Sequence, residues 1–243
     1  MAGQVTPGSI RWLDVVGSTQ DAAHGLAAAG GPHGSAIAAR VQTAGRGTRR
    51  RQWISSEGGL WLSVVCRPRA IIGIETVSVR VGLSLAALIE RWIGPGPRVA
   101  IKWTNDLIVN DRKAGGILVE ARWQGGSLGW LVVGVGINVR NTLPGHTAPL
   151  AARLADFGVT DSLEELALSV VAVVREAART AAVLTTQELR AFEARDWLRG
   201  RRLILPHQGI AQGITDEGKL RIRTSETEVI EAMGSVVLAD GTE

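Results

Sequence analysis

Between residues 99 and 139, four β-branched apolar runs (99–103, 107–109, 116–122 and 130–139) are separated only by short turns. Turns of that length leave no room for a crossover helix, so neighbouring runs must pair antiparallel, as a meander and not as repeated βαβ units. Any fold for this chain has to be built around that sheet. Upstream, strands are expected over 10–16, 35–41 and 60–67. Gly17-Ser18-Thr19 breaks the first of them and leads into an Ala-rich helix over 20–29, with Ser18 or Thr19 as N-cap. Residues 43–59 hold Gly, Arg and Ser without apolar periodicity and read as a long loop.

Val77, Val81, Leu85, Leu88, Ile89 and Trp92 recur at helical spacing, which predicts a core-facing helix over 74–92, ended by Pro95 and Pro97. A second long helix is expected over 162–184. Asp161 or Ser162 would cap it, and Glu164 and Glu165 lie in its first turn. A third is expected over 187–197. After Arg199-Gly200 the texture changes to short strands over 201–206, 208–215, 219–224, 227–231 and 236–238, with a hairpin turn at 216–218. This predicts an α+β protein. A mixed β-sheet flanked by helices occupies residues 1–198, and a small C-terminal SH3-like β-barrel occupies 199–243.

A chain of 243 residues with 45% apolar and 21% charged residues buries an ordinary core, which excludes disorder. Lysine occurs only at Lys102, Lys113 and Lys219, so the net charge of +4 comes almost wholly from arginine. Cys66 is the single cysteine, which rules out an internal disulfide and a cysteine zinc site, and the four histidines lack ligand spacing. The N-terminus has no signal-peptide pattern and no apolar run reaches a membrane span of about 20 residues. A soluble, cytoplasmic protein with no membrane partner and no protein-held metal is expected.

The common nucleotide motifs are absent. There is no P-loop, and Gly134-Val135-Gly136 lacks the third glycine of a dinucleotide fingerprint. Gly125-Gly126-Ser127-Leu128-Gly129 matches G-x-S-x-G but sits between two strands, where a hairpin loop is expected and not a nucleophile elbow.

Three other motifs carry chemistry. In Gln42-Thr43-Ala44-Gly45-Arg46-Gly47-Thr48-Arg49-Arg50-Arg51-Gln52-Trp53, the glycines permit close backbone approach. Arg46, Arg49 and Arg51 suit phosphates, and Trp53 offers a stacking face. A solvated basic loop fits the same residues equally well. The second motif runs from Lys102-Trp103-Thr104-Asn105-Asp106 to Lys113-Ala114-Gly115-Gly116 and on to Glu120. A two-residue turn at Asn110-Asp111 pairs Lys113 with Ile108 and brings Asp106 to the same sheet face; a three-residue turn would separate them. A cation and a carboxylate so placed suit acyl-adenylate chemistry. In the third, Gly134-Val135-Gly136-Ile137-Asn138-Val139, glycines within an apolar strand mark close approach of a ligand or another backbone.

In this order and spacing the motifs resemble the biotin–protein ligase family, in the form lacking an N-terminal DNA-binding domain. The resemblance runs from Gly17 to Val139 and extends to the β tail. It implies a sheet related to the class II aminoacyl-tRNA synthetase core. It also implies formation of biotinyl-5′-AMP from biotin and ATP with Mg2+, and transfer of biotin to a lysine of a carboxylase's biotin carboxyl carrier domain. Ser18, Thr19 and Gln42 would hold the biotin ring. Gly45, Arg46 and Gly47 would form the lid, and Trp53 its adenine-side aromatic. Lys113 would contact carboxylate and α-phosphate, with Arg46 and Asp106 as further catalytic groups. Asn105 and Asp106 would arrange ATP, metal and acceptor amine. Gly116 and Gly134 would line the pocket, and Gln20, Thr48, Arg49, Arg51, Trp61 and Asn138 would complete it.

The family commonly has arginine where this chain has Thr48, glycine where it has Arg50, and proline where it has Thr104. The first change implies a weaker lid clamp and easier release of the adenylate. A lipoate or octanoate ligase on a related fold is the nearest rival. A biotin-sensing repressor is disfavoured, because about nine residues ahead of the first strand are too few for a helix-turn-helix. A non-catalytic binding module would show no ATP–pyrophosphate exchange. No DNA partner and a possible homodimer are expected.

Overall fold

The computed structural model describes residues 9–69, 73–145, 150–231 and 236–239. Its main body is a seven-stranded sheet built from β1 (Ile10–Val16), β2 (Ala36–Gln42), β3 (Leu60–Cys66), β4 (Val99–Lys102), β5 (Asp106–Val109), β6 (Arg112–Gln124) and β7 (Ser127–Ile137), in the order β1-β2-β3-β7-β6-β5-β4. Only β1 and β2 run parallel, joined by helix α1 (Thr19–Ala28). The expected meander is present: β4 to β7 pair antiparallel in chain order, and Gly125 and Gly126 turn β6 into β7 with positive φ. That turn is a hairpin loop, as its place between two strands predicts.

Alternation along the strands sorts the two faces. Leu60, Leu62, Val64 and Cys66 of β3, with Leu131, Val133, Val135 and Ile137 of β7, join the large core beneath α2 (Thr76–Ile93) and α3 (Leu163–Ala177). The intervening Val65, Trp130 and Val132 pack under α1 with Ala23, Ala27 and Ile37. Helix α1 has 10 residues and covers only one end of that second face. What lies beyond its end is the floor of the site.

Two helices are shorter than their periodicity implies, because tertiary partners claim the backbone. Helix α3 ends at Ala177 and does not run on to residue 184. The Ala182 carbonyl instead accepts from Thr76 Oγ1 and Arg80 Nη1, both at 2.7 Å, and the Val183 carbonyl accepts from Arg80 Nη2 at 2.8 Å. Helix α4 (Thr186–Glu193) stops before residue 197, since Ile101 N–H donates to Arg195 O (2.7 Å) and Trp197 N–H to Ile101 O (3.0 Å). Residues 195–197 thus cover the outer edge of β4.

The remaining strands, β8 (Arg202–Leu205), β9 (Gly209–Ile214), β10 (Leu220–Arg223), β11 (Glu228–Glu231) and β12 (Val237–Leu238), form a five-stranded antiparallel sheet in the order β11-β10-β9-β8-β12. Its Leu203, Ala211, Leu220, Ile222 and Leu238 belong to the same apolar core as the main body. Trp103 Nε1 donates to Gly218 O at 2.8 Å, which fastens the β9–β10 turn to the K-W-T-N-D segment. No helix among the described residues is long and apolar enough to cross a membrane.

One buried carboxylate weakens the junction between body and tail. Burial pushes Asp196 up to about 6, against backbone N–H donors from Leu198 and Arg199 that act the other way, and its Oδ2 has no hydrogen-bond partner. The native state therefore holds this proton better than the unfolded chain does. Stability falls as pH rises from about 4 through 6, and the cost is complete above that. Asp196→Asn is expected to raise stability at pH 7.5 by about 1–2 kcal/mol and to do much less at pH 4.5. Urea unfolding at both values measures it, and an equal gain at both would show that the ionised carboxylate is not the cause.

Candidate active site

A transverse row of the sheet organises the site. Trp61 of β3 is registered with Gly136 of β7, Gly136 with Gly116 of β6, Gly116 with Asp106 of β5, and Asp106 with Lys102 of β4. Directly paired residues share a face, so two glycines form a flat floor with charged side chains at one side. The cleft above it has a volume of about 440 Å³, within the range of small-molecule sites.

The hairpin at Asn110-Asp111 has positive φ at both residues (48° and 57°), the conformation of a two-residue turn that matches strand twist. Lys113 pairs with Ile108 as its length requires. Further along, Leu107 faces Gly115 and Asp106 faces Gly116, so β6 carries one extra residue, Ala114. That bulge switches the alternation, and Lys113 and Gly116 both fall on the face of Asp106. Lys113 Nζ lies 2.7 Å from Asp106 Oδ1 and 5.0 Å from the Trp53 ring centroid.

One end of the cleft is a fixed neutral polar cluster. Ser18 caps α1 by accepting from Gln20 N–H at 3.3 Å. Thr19 donates through N–H (2.8 Å) and Oγ1 (3.0 Å) to Gln42 Oε1, while Thr19 Oγ1 and Ser63 Oγ lie 2.9 Å apart. Ser63 Oγ donates to Gln20 Oε1 at 3.0 Å, Gln20 Nε2 donates to Val132 O at 3.2 Å, and Gln42 Nε2 donates to Ser55 Oγ at 2.7 Å. Ser63 had no motif to announce it. Its only signal was a lone hydroxyl in the otherwise apolar strand L-W-L-S-V-V-C.

The basic loop is a small hairpin laid over this cleft. Arg46 bridges Gln52, Trp53 N–H donates to Gly45 O (2.9 Å), Gly47 N–H donates to Arg51 O (2.8 Å), and a 3-10 turn over Thr48–Arg50 forms the tip. Gly45 permits the closure, because a Cβ there would lie 2.3 Å from Trp53 O. The hairpin sets the Trp53 indole on the glycine floor: a Cβ on Gly136 would lie 2.7 Å from its Nε1, and one on Gly116 would lie 3.0 Å from Cζ3. Trp61 is buried beside the floor and meets Trp53 edge-on at 6.4 Å.

Of the expected residues, Ser18, Thr19, Gln20, Gln42, Arg46, Gly47, Thr48, Arg49, Arg51, Trp53, Asn105, Asp106, Lys113, Gly116, Gly134 and Asn138 line the cleft, while Gly45 and Trp61 stand behind its wall. Asn105 Nδ2 donates to Ile117 O at 2.8 Å, and Asn138 N–H donates to Ala114 O at 2.8 Å, so Asn138 braces the bulge beside Lys113. Arg46 departs from expectation. Its guanidinium is shared by Asp21 and Glu120, so its charge is already balanced by two carboxylates. Arg49, exposed at the hairpin tip, lines the cleft: partial burial and the nearby Arg51 hold it below the ordinary guanidinium value, while Asp106 works in the opposite sense. Lys102, Trp103, Leu143, Pro144 and Leu150 also line the cleft, and the 143–151 stretch has no motif that could have revealed it.

Among the described lining residues, Arg49, Arg51, Lys102 and Lys113 bring four cationic side chains to the cleft, with the Asp106 carboxylate beside Lys113. Such a wall takes a polyanion. No group of three or more His, Cys, Asp or Glu side chains among the described residues could hold a metal alone.

Comparison with known proteins agrees with this geometry. The model of the Biotin/lipoate A/B protein ligase family matches residues 12–138. A Bifunctional ligase/repressor BirA of Bacillus spizizenii is 37% identical over 136 residues, which is 53% of this chain and 39% of that protein. The matched part is thus well under half of that relative's length. A Biotin--[acetyl-CoA-carboxylase] ligase of Paracoccus denitrificans is 31% identical over 214 residues, covering 83% of this chain and 89% of that one. Among solved structures, a biotin protein ligase from Aquifex aeolicus in complex with biotin and ATP superposes with a TM-score of 0.79 at 25% identity, over 95% of this chain and 99% of that one.

Proposed function

The chain belongs to the biotin/lipoate A/B protein ligase family, and from that premise we propose that it is a biotin–protein ligase. It joins biotin to ATP as biotinyl-5′-AMP and passes the biotinyl group to a lysine of a biotin carboxyl carrier domain. The observation that carries this reading is the two-part cleft. A neutral, hydrogen-bonded polar end formed by Ser18, Thr19, Gln42 and Ser63 adjoins a cationic wall formed by Lys113, Arg49 and Arg51.

A cyclic urea has paired N–H donors and a carbonyl acceptor, which hydroxyls and a glutamine amide can match without any charge. The acid's carboxylate then points to Lys113. Attack of a carboxylate oxygen on the α-phosphorus forms the mixed anhydride, and pyrophosphate leaves with the electron pair of the broken P–O bond. Lys113 and Arg49 offset the negative charge that builds on the phosphoryl oxygens. In the second step an acceptor amine attacks the anhydride carbonyl, forming the amide and releasing AMP, and Asp106 orients that amine. Mg2+ fits the donor set. The ion commonly takes one carboxylate with substrate phosphates, and Asp106 with the neighbouring Asn105 amide would hold it, supplying charge neutralisation at the phosphates. Thr48 brings no cation to the lid tip, in keeping with easier release of the adenylate.

The same reading covers the finer architecture. The tail sheet is taken as an SH3-like barrel beginning near residue 199, the main sheet as a relative of the class II aminoacyl-tRNA synthetase core, and a cytoplasmic homodimer as the assembly.

Exchange of labelled pyrophosphate into ATP tests substrate and half-reaction together. Exchange that depends on biotin is expected, and lipoate is expected to support less than about a tenth of it, since an unmatched polar pocket end rejects an apolar dithiolane. Equal exchange with lipoate would overturn the assignment of substrate. Absence of exchange with either acid would overturn the enzyme.

A further inference from the structure

The proposed chemistry assigns no role to the cluster outside the cleft that holds the Arg46 side chain. The guanidinium reaches two elements at once: Asp21 in the first turn of α1 and Glu120 on β6. Glu120 is not left to settle its own geometry. Its other carboxylate oxygen lies 3.2 Å from His24 Nε2, on the next turn of α1 after Asp21. His24 Nδ1 accepts from Trp130 Nε1 at 3.0 Å, so that nitrogen carries no proton and the ring hydrogen sits on Nε2, donating to Glu120. Burial holds His24 below the ordinary imidazole value, which keeps the ring in this single-donor form. Behind it the Arg67 guanidinium stacks on the Trp130 ring at 5.8 Å and donates to Ala27 O, Gly31 O and Gly129 O.

The result is a chain of oriented contacts, Arg46–Glu120–His24–Trp130–Arg67, that runs from the lid into the rigid core beneath α1. We infer that Arg46 is a latch: Glu120, oriented by His24 and assisted by Asp21, grips its side chain and so holds the Gly45–Gly47 backbone over the acyl end of the cleft. This makes Glu120, Asp21 and His24 positioning residues. The inference rests on the proposed biotin chemistry for its kinetic consequence, although the latch itself does not. Arg46 side-chain exposure of 38% is matched by 26% at Glu120 but by 64% at Asp21, so the Glu120 arm, better shielded from water, carries more of the grip. Because the latch contacts no reacting atom, it supports ground and transition states alike, and its loss should appear in KM and not in kcat.

The lid's own arginines supply an activity-independent probe, because a protease needs extended backbone and trypsin should cleave after Arg46, Arg49, Arg50 and Arg51 faster when the hairpin opens. Glu120→Gln is expected to speed cleavage within 46–51 about tenfold and to raise the biotin KM about tenfold. Arg49 and Arg51 ride on the same hairpin, so the ATP KM should rise too, by less than the biotin KM, while kcat with both substrates saturating should stay within about twofold of the wild-type value. Asp21→Asn is expected to shift cleavage and KM by about two- to threefold, and Glu120→Asp, which keeps the charge, should lose less than Glu120→Gln. If Glu120→Gln leaves cleavage within twofold of wild type, there is no latch. If cleavage rises while the biotin KM stays put, the positioning role is wrong. If cleavage rises but wild type itself shows no biotin-dependent exchange, the latch stands and the proposed function falls. Unchanged thermal unfolding of the variants confirms that the fold is intact.

Discussion

Lys113→Ala is expected to lower biotin-dependent ATP–pyrophosphate exchange by about 10²–10³-fold, the loss seen when one preorganised donor is removed from a developing oxyanion. The reason lies in how this ammonium is held. It sits on a short hairpin whose two-residue turn pairs it with Ile108 and so places it on the face of Asp106, 2.7 Å from Oδ1 and over the Trp53 ring. It is aimed before substrate arrives, so little reorganisation accompanies the reaction. Arginine at this position is longer and forked, and Lys113→Arg is expected to recover only part of the loss. The transfer step should depend on Lys113 less. When biotinyl-5′-AMP is supplied ready-made, the phosphoryl charge no longer has to build, and the expected defect is about tenfold or smaller. Native exchange rates in purified Lys113→Ala would remove this residue from the mechanism.

The second large effect is expected from a single methyl group on the floor of the cleft. A Cβ at Gly136 would stand 2.7 Å from Trp53 Nε1 and 2.8 Å from Cε2, closer than real Cβ contacts come. The ring lies directly on that position, with Trp61 edge-on beside it, so Gly136→Ala must lift Trp53 and the lid strand that carries it. Biotin-dependent exchange should fall more than about tenfold and tryptophan fluorescence should shift, while the protein still folds, because the strand itself can take alanine. Gly25→Ala is the matched control. Nothing lies within 4 Å of its Cβ position, and inside α1 it should add about 0.5–1 kcal/mol of stability without touching activity. If Gly136→Ala exchanges as fast as Gly25→Ala, Trp53 does not seat on the floor in the working enzyme.

Much of this site was legible before any coordinates, and for a definable reason. Its groups come from local motifs, and local motifs write their geometry into short spacings. The two residues Asn110-Asp111 set the hairpin length, and the hairpin length set Lys113 against Ile108. Glycines at 134 and 136 in an apolar strand announced a surface that something else must approach. The strand limits of β1 and the N-cap at Ser18 likewise depend on neighbours a few residues away. Where the helices end short of their periodicity, a distant partner intervenes. Residues 178–184 have a good helical composition, yet their carbonyls serve Thr76 and Arg80 of α2. Residues 195–197 add to the edge of β4 for the same kind of reason.

Arg46 divides the two kinds of knowledge most clearly. By itself, the sequence determined that a glycine-flanked arginine would sit in a mobile-looking basic stretch upstream of a lysine and a glycine-rich strand. It also determined the chemistry those residue types suit. It did not determine where the guanidinium points, because the two carboxylates that take it lie 25 and 74 residues away. Contacts at that range are set by sheet register and by the docking of α1, which are properties of the whole packed core. Spacing in the chain supplied the glycines, cations and aromatic ring of the candidate site; only the tertiary structure decided which of its arginines is already held by carboxylates from α1 and β6.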